Sequence, residues 1–378
     1  MKKGWRTVPM GKLCSISSGE SDTQDAVEDG PYAFFDRSKT IKRSSRFLYD
    51  CEALIIPGEG KEFLPKHFEG KFDLHQRAYA LFDFLPELDV RFLYHLLHHR
   101  SDYFPSVAVG ATVKSLRRRH FEDLPVPVPP LPDQQRIVGL LDEAFEGLAT
   151  AKANAEKNLQ NARALFESHL QSVFTQRGPE WEEKTLGDLF DITSSKRVFE
   201  ADWKTEGVPF YRAREIVKLA KQGYVDNELF ISAEMFNTYS AKYGIPAPGD
   251  IMVTGVGTLG ICYVVKQGDR FYFKDGNIIW LRKKTKVDSR FVEHAFRSEF
   301  LRKQIDDSVG ATVGTFTIIK AKGTRIPLPS VSEQPRVVQQ LDSLREDTQR
   351  LARIYERKLA ALEALKKSLL HQAFTGQL

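Results

Sequence analysis

The sequence predicts an α+β fold in which one unit, a mixed α/β domain followed by a long amphipathic helix, occurs twice. The segment VGATVKS at 109–115 returns as VGATVGT at 309–315, an offset of 200 residues. Self-similarity at a fixed offset is the mark of a duplicated unit. In both copies a proline-rich segment follows, and behind it apolar residues recur at steps of three and four, which is typical of an amphipathic helix.

The offset of 200 residues holds beyond this motif. Seven residues recur identically, with Pro127, Pro129, Gln134, Arg136, Val138, Leu141 and Asp142 matching Pro327, Pro329, Gln334, Arg336, Val338, Leu341 and Asp342. At the domain starts the offset is 176, because Trp5, Gly11 and Leu13 match Trp181, Gly187 and Leu189. The frame is therefore duplicated, whereas the domain interiors differ by insertions.

Runs of β-branched and aromatic residues predict the strands of each domain. These runs are EALIIPG, RAYALFDF, DIMVTGV, ICYVV, RFYF and IIWLR, whereas RFLYHLLHHRSDYF and RFVEHAFRSEFLRKQI predict short helices. The proline-rich segments at 124–132 and 325–330 force extended backbone and should end each domain. Asp133 and Ser332 are then predicted to cap the long helices.

The first long helix is predicted over 134–175. The apolar seams contain Ile137, Leu141, Ala144, Leu148, Ala151, Ala155, Ala162 and Leu165 in the first helix and Leu341, Leu344, Leu351, Tyr355, Leu362, Leu365 and Leu369 in the second. A helix of 42 residues is about 63 Å long, too long for one domain of this size to stabilise.

The long helices should therefore pack on each other as an antiparallel coiled coil. The predicted fold has two tandem mixed α/β domains separated by these helices, with pseudo-two-fold symmetry. Its predicted parts are domain 1 (1–132), helix 1 (133–178), domain 2 (179–331) and helix 2 (332–378).

Composition excludes several classes of protein. The chain has 378 residues, enough for two domains, because single cores stop growing at roughly 250–300 residues. No stretch approaches the roughly 20 apolar residues of a membrane span, and the N-terminus lacks the apolar region of a signal peptide. We expect a cytoplasmic protein without membrane contact. The net charge of +5 permits nucleic-acid binding without demanding it.

The sequence predicts no metal site. Cys14, Cys51 and Cys262 are odd in number and far apart, which fits neither a disulfide framework nor zinc. Three histidines lie at helical spacing in HLLHH, namely His95, His98 and His99. Because no carboxylate or cysteine partner stands nearby in the pattern, a partly buried helix face is favoured over a metal site.

Two glycine motifs resemble nucleotide sites but lack their context. GVGTLG at 255–260 matches the dinucleotide fingerprint, but a strand is predicted where a helix is needed, so a hairpin turn is favoured. GEGK at 58–61 has Ile55 where a phosphate loop needs glycine and Glu62 where it needs Ser or Thr. Since no catalytic constellation was found, the chain is predicted to bind rather than to catalyse.

Basic loops at matched positions suggest contacts with DNA phosphates and bases. The candidates are Arg37, Lys39, Lys42, Arg43, Gln76, Arg77, Lys114, Arg117 and Arg118 in the first domain and Lys196, Arg197, Arg212, Arg214, Thr258, Lys320 and Lys322 in the second. The alternative for any one cluster is a solvated charge run, and for Gln76 and Arg77 it is strand-end structure.

Two similar domains on a spacer suit a two-part linear target, as dimeric DNA-binding proteins place two modules about 34 Å or more apart. Because the domain interiors diverge, the two half-sites should differ in sequence. We therefore expect an asymmetric, interrupted site whose gap is set by the helices.

The order of motifs also points to a family. A tryptophan followed by GxL opens each domain, VGAT follows, and PVPPLPDQQRIV or PLPSVSEQPRVV begins each long helix. This arrangement resembles the specificity subunit of type I restriction-modification systems, and the resemblance covers essentially the whole chain.

The resemblance implies that each domain is a target recognition domain reading one half of a site on double-stranded DNA, and that the helices dock two modification (methyltransferase) subunits. The docking candidates are Gln134, Arg136, Phe174, Gln334, Arg336 and Phe374. It also implies that S-adenosylmethionine belongs to the modification subunits and ATP with Mg to restriction subunits of the full complex, so this chain needs no cofactor. A protein-binding coiled-coil scaffold and a stand-alone DNA-binding regulator remain as alternatives.

Overall fold

The computed structural model describes residues 4–178, 180–306 and 314–378. The chain divides into two compact units: unit 1 runs up to Lys157 and includes Glu356–Leu378, and unit 2 is Asn158–Tyr355. Both units contain part of each long helix, α4 (Leu131–Thr175) and α11 (Gln334–Thr375). The division thus falls inside the helices, whereas the sequence placed its boundaries at their ends.

Unit 1 is built on a mixed sheet. Its other elements are β1 (Arg6–Pro9), β2 (Ser15–Ser18), β3 (Tyr32–Phe35), β4 (Lys42–Ser44), β5 (Tyr49–Pro57), β6 (Lys66–Leu74), β7 (Ala78–Phe82), α1 (Val90–His99), α2 (Tyr103–Val107), α3 (Arg118–Glu122) and β8 (Pro125–Val128). The sheet has the order β2-β7-β5-β6-β3-β4, in which β3 and β6 pair in parallel. The predicted strands EALIIPG and RAYALFDF are confirmed as β5 and β7.

Unit 2 contains smaller sheets. Its elements are β9 (Glu182–Thr185), α5 (Leu186–Leu189), β10 (Phe190–Thr193), β11 (Val208–Tyr211), α6 (Ala213–Gln222), β12 (Phe230–Ile231), α7 (Ala233–Tyr243), β13 (Ile251–Thr254), β14 (Cys262–Val264), β15 (Tyr272–Phe273), β16 (Ile278–Lys283), α8 (Ser289–Arg297), α9 (Glu299–Asp306), α10 (Ile318–Gly323) and β17 (Arg325–Leu328). One sheet has the order β10-β16-β13-β14, and a second has β12-β11-β15 with β11 parallel to β15.

The duplicated frame is visible in matching two-stranded sheets. The proline-rich segment of unit 1 forms β8, which pairs antiparallel with the first strand, β1. In unit 2 the corresponding β17 pairs antiparallel with β9. The extended backbone predicted for the proline-rich segments is therefore confirmed for Pro125–Val128 and Arg325–Leu328, but not for Leu131 and Pro132, which already belong to α4. A short helix precedes each of these strands, α3 in unit 1 and α10 in unit 2.

The GVGTLG motif is a hairpin turn. It joins β13 to β14, which pair antiparallel, and Gly257 and Gly260 have positive φ angles of 71° and 68°, a region that favours glycine. A Cβ on Gly260 would also lie 2.8 Å from the Ile305 side chain. The sequence-based choice of a hairpin over a dinucleotide loop is confirmed.

The starts of the long helices differ from prediction. Helix α4 already begins at Leu131, because Pro132 fits a first helical turn, where its missing N–H costs little. Asp133 is then inside the first turn, where its charge opposes the helix dipole favourably. Ser332 lies two residues before α11, and its hydroxyl bonds that of Ser330 at 3.1 Å. Both capping predictions were wrong.

The two helices run antiparallel within unit 1. The Arg136 side chain donates to the Leu378 carbonyl at 3.1 Å, and Lys152 pairs with Glu363 at 2.9 Å. Residues further along α4 thus contact residues earlier in α11.

The predicted seam is only partly right. Ile137, Leu141, Ala155, Ala162 and Leu341 are buried, but Leu165, Leu351 and Leu365 are 50%, 39% and 48% exposed. The end of α4 instead buries Phe166, Leu170 and Phe174, which pack in the core of unit 2. The buried face turns because an α-helix drifts relative to a strict heptad and because the domain provides a second apolar surface.

Replacing Leu341 by alanine should destabilise unit 2 by about 2–5 kcal/mol, because it opens a cavity at a fully buried site. The matched change Leu351→Ala should cost less than about 0.5 kcal/mol, since this side chain is partly in solvent. Urea unfolding of both variants measures the difference. Equal losses would show that the seam has been assigned to the wrong helix face.

Candidate nucleic-acid interface

One buried carboxylate gathers three of the predicted DNA-binding segments in unit 1. Glu59 follows β5 and its side chain is only 10% exposed. It accepts hydrogen bonds from Arg77, from Arg37 at 3.3 Å and from the Ser115 hydroxyl at 3.2 Å. The Gly60 N–H also donates to the Lys114 carbonyl at 3.0 Å. The loops that carry Arg37, Arg77 and Lys114 therefore lie side by side.

Sequence reasoning did not identify Glu59 as the centre of this cluster. It considered GEGK only as a phosphate loop, a reading that the structure excludes because irregular backbone and then β6 follow Lys61. The available signal was an acidic residue directly after a strand, next to cation-bearing loops. Such a carboxylate holds arginines in place and orients their remaining N–H groups outward.

The other cations of this surface differ in how firmly they are held. Lys42 pairs at 2.7 Å with the buried Asp36; burial raises the pKa of Asp36, but hydrogen bonds from Lys42 and Ser38 outweigh it and the pKa is lowered. Arg43 donates to the carbonyls of Gly30 and Pro31 at 2.8 and 3.3 Å. Lys42 therefore holds the β3–β4 loop through Asp36, and Arg43 ties β4 to the segment before β3.

Exposed polar side chains complete the surface. The Lys39 side chain is 89% exposed and pairs with Glu62 at 2.9 Å. Gln76 is exposed in the turn between β6 and β7. Lys114 and Arg117 are also exposed, and Arg118, the first residue of α3, pairs with Glu122 at 2.8 Å.

A second buried carboxylate organises the arginines of unit 2. Glu215, in the first turn of α6, accepts from Arg212 at 3.0 Å and also from Arg214, which pairs in addition with Glu228. Burial raises the pKa of Glu215, but the bonds from Arg212 and Arg214 prevail and lower it. Arg212 is largely covered, whereas the Arg214 side chain is half exposed.

Lys196 and Arg197 lie next to the same part of unit 2. The backbone N–H of Lys196 donates to the Tyr272 hydroxyl at 3.0 Å, and the Arg197 side chain pairs with Asp275 at 3.3 Å. Since Tyr272 is in β15, which pairs with β11, this segment lies near the one that begins with Arg212.

The remaining candidates of unit 2 are exposed. Thr258 is at the tip of the β13–β14 turn, and Lys320 and Lys322 lie on α10. The Phe316 N–H donates to the Gly255 carbonyl at 2.9 Å, which joins the segment before α10 to the turn. Residues 309–313 of the second VGAT motif lie outside the described residues.

The docking candidates Gln134 and Gln334 are internal. Both side chains are fully buried. The Gln134 carbonyl accepts from the Asp89 N–H at 2.9 Å and its NH₂ donates to the Pro129 carbonyl at 2.8 Å. Gln334 makes the same bonds to Asp288 and Pro329, at 2.7 and 3.0 Å. This corrects our expectation that these glutamines face a partner.

Phe174 and Phe374 are also internal, because they pack in the cores of unit 2 and unit 1. We therefore withdraw both from the set of docking candidates. Arg136 and Arg336 are exposed on their helices and stay in it.

A histidine and an arginine attach each domain to a long helix. In unit 1, His95 and Arg91 contact Asp142 of α4 at 2.9 and 3.0 Å. In unit 2, His294 and Arg290 contact Asp342 of α11 at 2.9 and 2.8 Å. The helix face that carries His95, His98 and His99 is partly buried, as predicted, and the carboxylate that His95 contacts comes from 47 residues further along the chain. The missed signal is the motif DxRFxxH, which occurs at 89–95 and again at 288–294.

The described residues contain no group of three or more His, Cys, Asp or Glu side chains arranged to hold a metal ion. Within the same residues, no helix is both long and apolar enough to cross a membrane.

Comparison with known proteins agrees with this arrangement. The family model of the type I restriction modification DNA specificity domain matches residues 2–159 and 179–360. The chain belongs to this family. Its function is thus the recognition of DNA sequence in a type I restriction-modification system, and both units contain one copy of the family domain.

Three relatives illustrate the match. A putative type I restriction enzyme specificity subunit, S.HindORF215P, of Haemophilus influenzae is 26% identical over 78% of this chain and 75% of its own length. The EcoDI specificity subunit of Escherichia coli is 29% identical over 49% of this chain and 41% of its own length. A solved structure concerns the structural basis of complex assembly and conformational transition of the type I R-M system. Its match covers 100% of this chain and 99% of the solved chain, with a TM-score of 0.70 and 18% identity. This likeness supports the fold.

The change Gln334→Ala should destabilise the protein by about 1–3 kcal/mol, because it leaves the buried Asp288 N–H and Pro329 carbonyl without partners. Arg336→Ala, two residues further on an exposed face, should change the free energy of unfolding by less than about 0.5 kcal/mol. Chemical denaturation compares the two. A neutral Gln334→Ala would refute the structural role of this glutamine.

Stability should also depend on His98. Burial lowers the pKa of His98 from 6.5 to about 4, with Lys366 adding to the effect, and within the described residues its Nε2 has no hydrogen-bond partner. Between these pH values the unfolded chain binds a proton that the folded chain does not, so the free energy of unfolding falls as the pH decreases.

We expect His98→Asn to reduce this slope between pH 6.5 and about 4. The exposed His169→Asn is the control and should retain the slope of the unchanged protein. The free energy of unfolding, measured at a series of pH values, tests this expectation. Equal slopes against pH for the unchanged protein and both variants would contradict it.

Proposed function

We propose that each unit reads one half of a bipartite, asymmetric site on double-stranded DNA, and that the long helices dock two modification subunits of a type I complex. The observation that carries the proposal is the Glu59 cluster, which brings cations from three separate loops onto one surface of unit 1. A coiled-coil scaffold would have no need to fix these side chains.

The difference between the two cation surfaces supports an asymmetric site. In unit 1 the central carboxylate, Glu59, follows a strand and joins three loops. In unit 2 the corresponding role falls to Glu215 within α6, and both arginines come from its own turn. Since reading surfaces that differ in backbone cannot present the same donors and acceptors, the two half-sites should differ in sequence.

The identical frame supports two equivalent partners. Arg136 and Arg336 occupy the same position of the repeat, and both are exposed. A surface that recurs in sequence and in exposure can bind two copies of one protein. Methylation with S-adenosylmethionine and ATP-driven cleavage with Mg are then tasks of the modification and restriction subunits, and a cytoplasmic location follows from this association with DNA.

The proposal predicts different effects for a base reader and a phosphate contact. The target would first be obtained by methylome sequencing of a host that expresses this chain with its modification subunit. Gln76→Ala should then relax discrimination at one position of one half-site by roughly tenfold, since a bidentate amide–adenine contact is worth about 1–3 kcal/mol. Binding titrations against duplexes altered at single positions measure this effect.

Lys39→Ala serves as the matched comparison, because its ammonium suits a phosphate. It should weaken binding to all sequences alike and lower the slope of log K against log salt by about 0.9. If Gln76→Ala weakened all sequences equally, its role as a reader would be refuted. If neither variant changed binding, the surface around Glu59 would not be the interface.

Division of labour between the units is tested by exchange. Replacing residues 7–130 with the corresponding domain of another specificity subunit should change one half of the methylated site and leave the other unchanged. A change in both halves would contradict the assignment of one unit to each half. The stand-alone regulator is excluded if a modification subunit copurifies with the chain.

A further inference from the structure

The groove between the long helices occurs twice, once in each unit. In unit 1 it is lined by Phe145, Leu148, Ala149 and Lys152 of α4 and by Leu362, Glu363 and Lys366 of α11. Its volume is about 140 Å³. Lys152 and Glu363 pair across it, and the Lys366 ammonium lies 5.1 Å from the centre of the Phe145 ring. This copy is small, and its one glutamate is paired with one of its two lysines while the other lies over an aromatic ring.

In unit 2 the equivalent groove is much larger and has a different chemistry. Its lining includes Arg345, Thr348, Gln349 and Ala352, each 200 residues after its counterpart in unit 1, and its volume is about 480 Å³. Arg345 replaces Phe145, so a guanidinium stands where unit 1 has an aromatic ring.

Two further arginines from domain elements line this cavity. They are Arg297, the last residue of α8, and Arg302 of α9. A smaller neighbouring cavity, of about 280 Å³, is bordered by the same three arginines and by Lys221. The same three arginines therefore border both cavities of unit 2.

Few anionic partners are available to these arginines. Arg297 donates to Glu293 at 2.7 Å, but Glu293 also pairs with Arg290. Arg302 donates to the Leu259 carbonyl at 2.8 Å, which is neutral. The guanidinium of Arg345 makes no ion pair or hydrogen bond to the residues that the structure describes.

The environment of Arg345 is unfavourable for its charge. Burial lowers the pKa of Arg345, and the neighbouring Arg297 lowers it further, while Glu293 opposes these effects. Glu167 of α4 also lines the cavity, and it is the one acid among the lining residues that the structure describes, against Arg297, Arg302 and Arg345. Half-buried like charges repel more strongly than they would in water, and an anion among them would remove that cost.

The arginines are not required to build the frame. Counted from the shared DxRFxxH motif, His98 is the unit 1 counterpart of Arg297, and at the offset of 200 that holds in the long helices, Phe145 is the counterpart of Arg345. Unit 1 forms the same clamp and the same helix pair with these uncharged aromatic residues. The arginine cluster is thus specific to unit 2, and the repulsion between its positive charges is unfavourable for folding.

We propose that the cavity bordered by Arg297, Arg302 and Arg345 binds a phosphate group. Guanidinium groups bind phosphate oxygens bidentately, and several can share one tetrahedral group, which makes phosphate the ligand that fits best. The phosphate belongs either to a small phosphate ester or to the DNA backbone. The DNA backbone as the source rests on the proposed function. In its support, Arg302 donates a hydrogen bond to the Leu259 carbonyl, in the turn that carries the DNA-binding candidate Thr258.

Pyrophosphate and ATP, titrated into the full-length chain by calorimetry, test the free-ligand source. We expect binding that Arg345→Phe weakens at least tenfold, since this change installs the residue that unit 1 carries at the same position. Arg345→Gln provides a second variant should the phenylalanine disturb folding. Arg353→Phe, the same substitution at an exposed position of α11, is the control and should bind like the unchanged protein.

A mixed-sequence DNA duplex tests the other source. If the ligand is a backbone phosphate, Arg345→Phe should lower the salt slope of duplex binding by about 0.9, and Arg353→Phe should not. An unchanged slope together with weakened pyrophosphate binding assigns the site to a free phosphate ester.

The proposal is overturned if Arg345→Phe alters neither pyrophosphate and ATP binding nor the salt slope. These outcomes are separable from failure of the proposed DNA reading. That failure would remove duplex binding from every variant, including the control, and would leave the pyrophosphate titration unaffected.

Discussion

The attachment of each domain to a long helix depends on one buried amide. A helix start leaves backbone groups without partners, and here two such starts meet in each unit. In unit 1 the Gln134 side chain joins the N–H of Asp89, before α1, to the carbonyl of Pro129, before α4. Eight residues, or about 12 Å, further along α4, Asp142 binds α1 again through His95. Two fixed points determine the orientation of one helix on the other.

This clamp explains why the interiors of the two units are free to differ. In both units it uses a helix near the end of the domain, the proline-rich strand and the start of a long helix, and these parts recur at offsets of 199 or 200 residues. The segments that carry Arg37, Glu59 and Arg77 in unit 1 and Glu215 in unit 2 precede these parts in the chain, the loop of Lys114 lies between α1 and β8, and none of them contributes an atom to the clamp. Insertions there alter the exposed surface without moving the domain on its helix, so variable recognition is compatible with a conserved frame.

The features of the fold that depend on local sequence patterns were the ones that the sequence predicted. The β5 run, the α8 run and the GVGTLG hairpin follow from alternation, helical spacing and glycine, and all were predicted correctly. The seam at Leu165 and Leu351 was wrong, because the helix face that is buried depends on the second surface supplied by the domain. Pairs such as His95 with Asp142, 47 residues apart, could not be read from spacing. Gln134 was misjudged because a recurring polar residue suits a buried contact as well as an exposed one.

The buried carboxylates also bear on how a DNA-recognition protein with a net charge of only +5 can present cations to its target. An arginine free in solution must lose side-chain entropy when it binds DNA, whereas one already held by Glu59 or Glu215 has lost much of it on folding. Each such acid lowers the net charge by one. It also fixes the orientation of the arginine, and so the direction in which the remaining N–H groups point. Weak overall charge limits nonspecific binding to phosphates, so the same pairing favours discrimination between sequences over affinity for DNA in general. Counting cations therefore underestimates the surface that we propose reads DNA, because on that proposal the acids set the positions of its arginines.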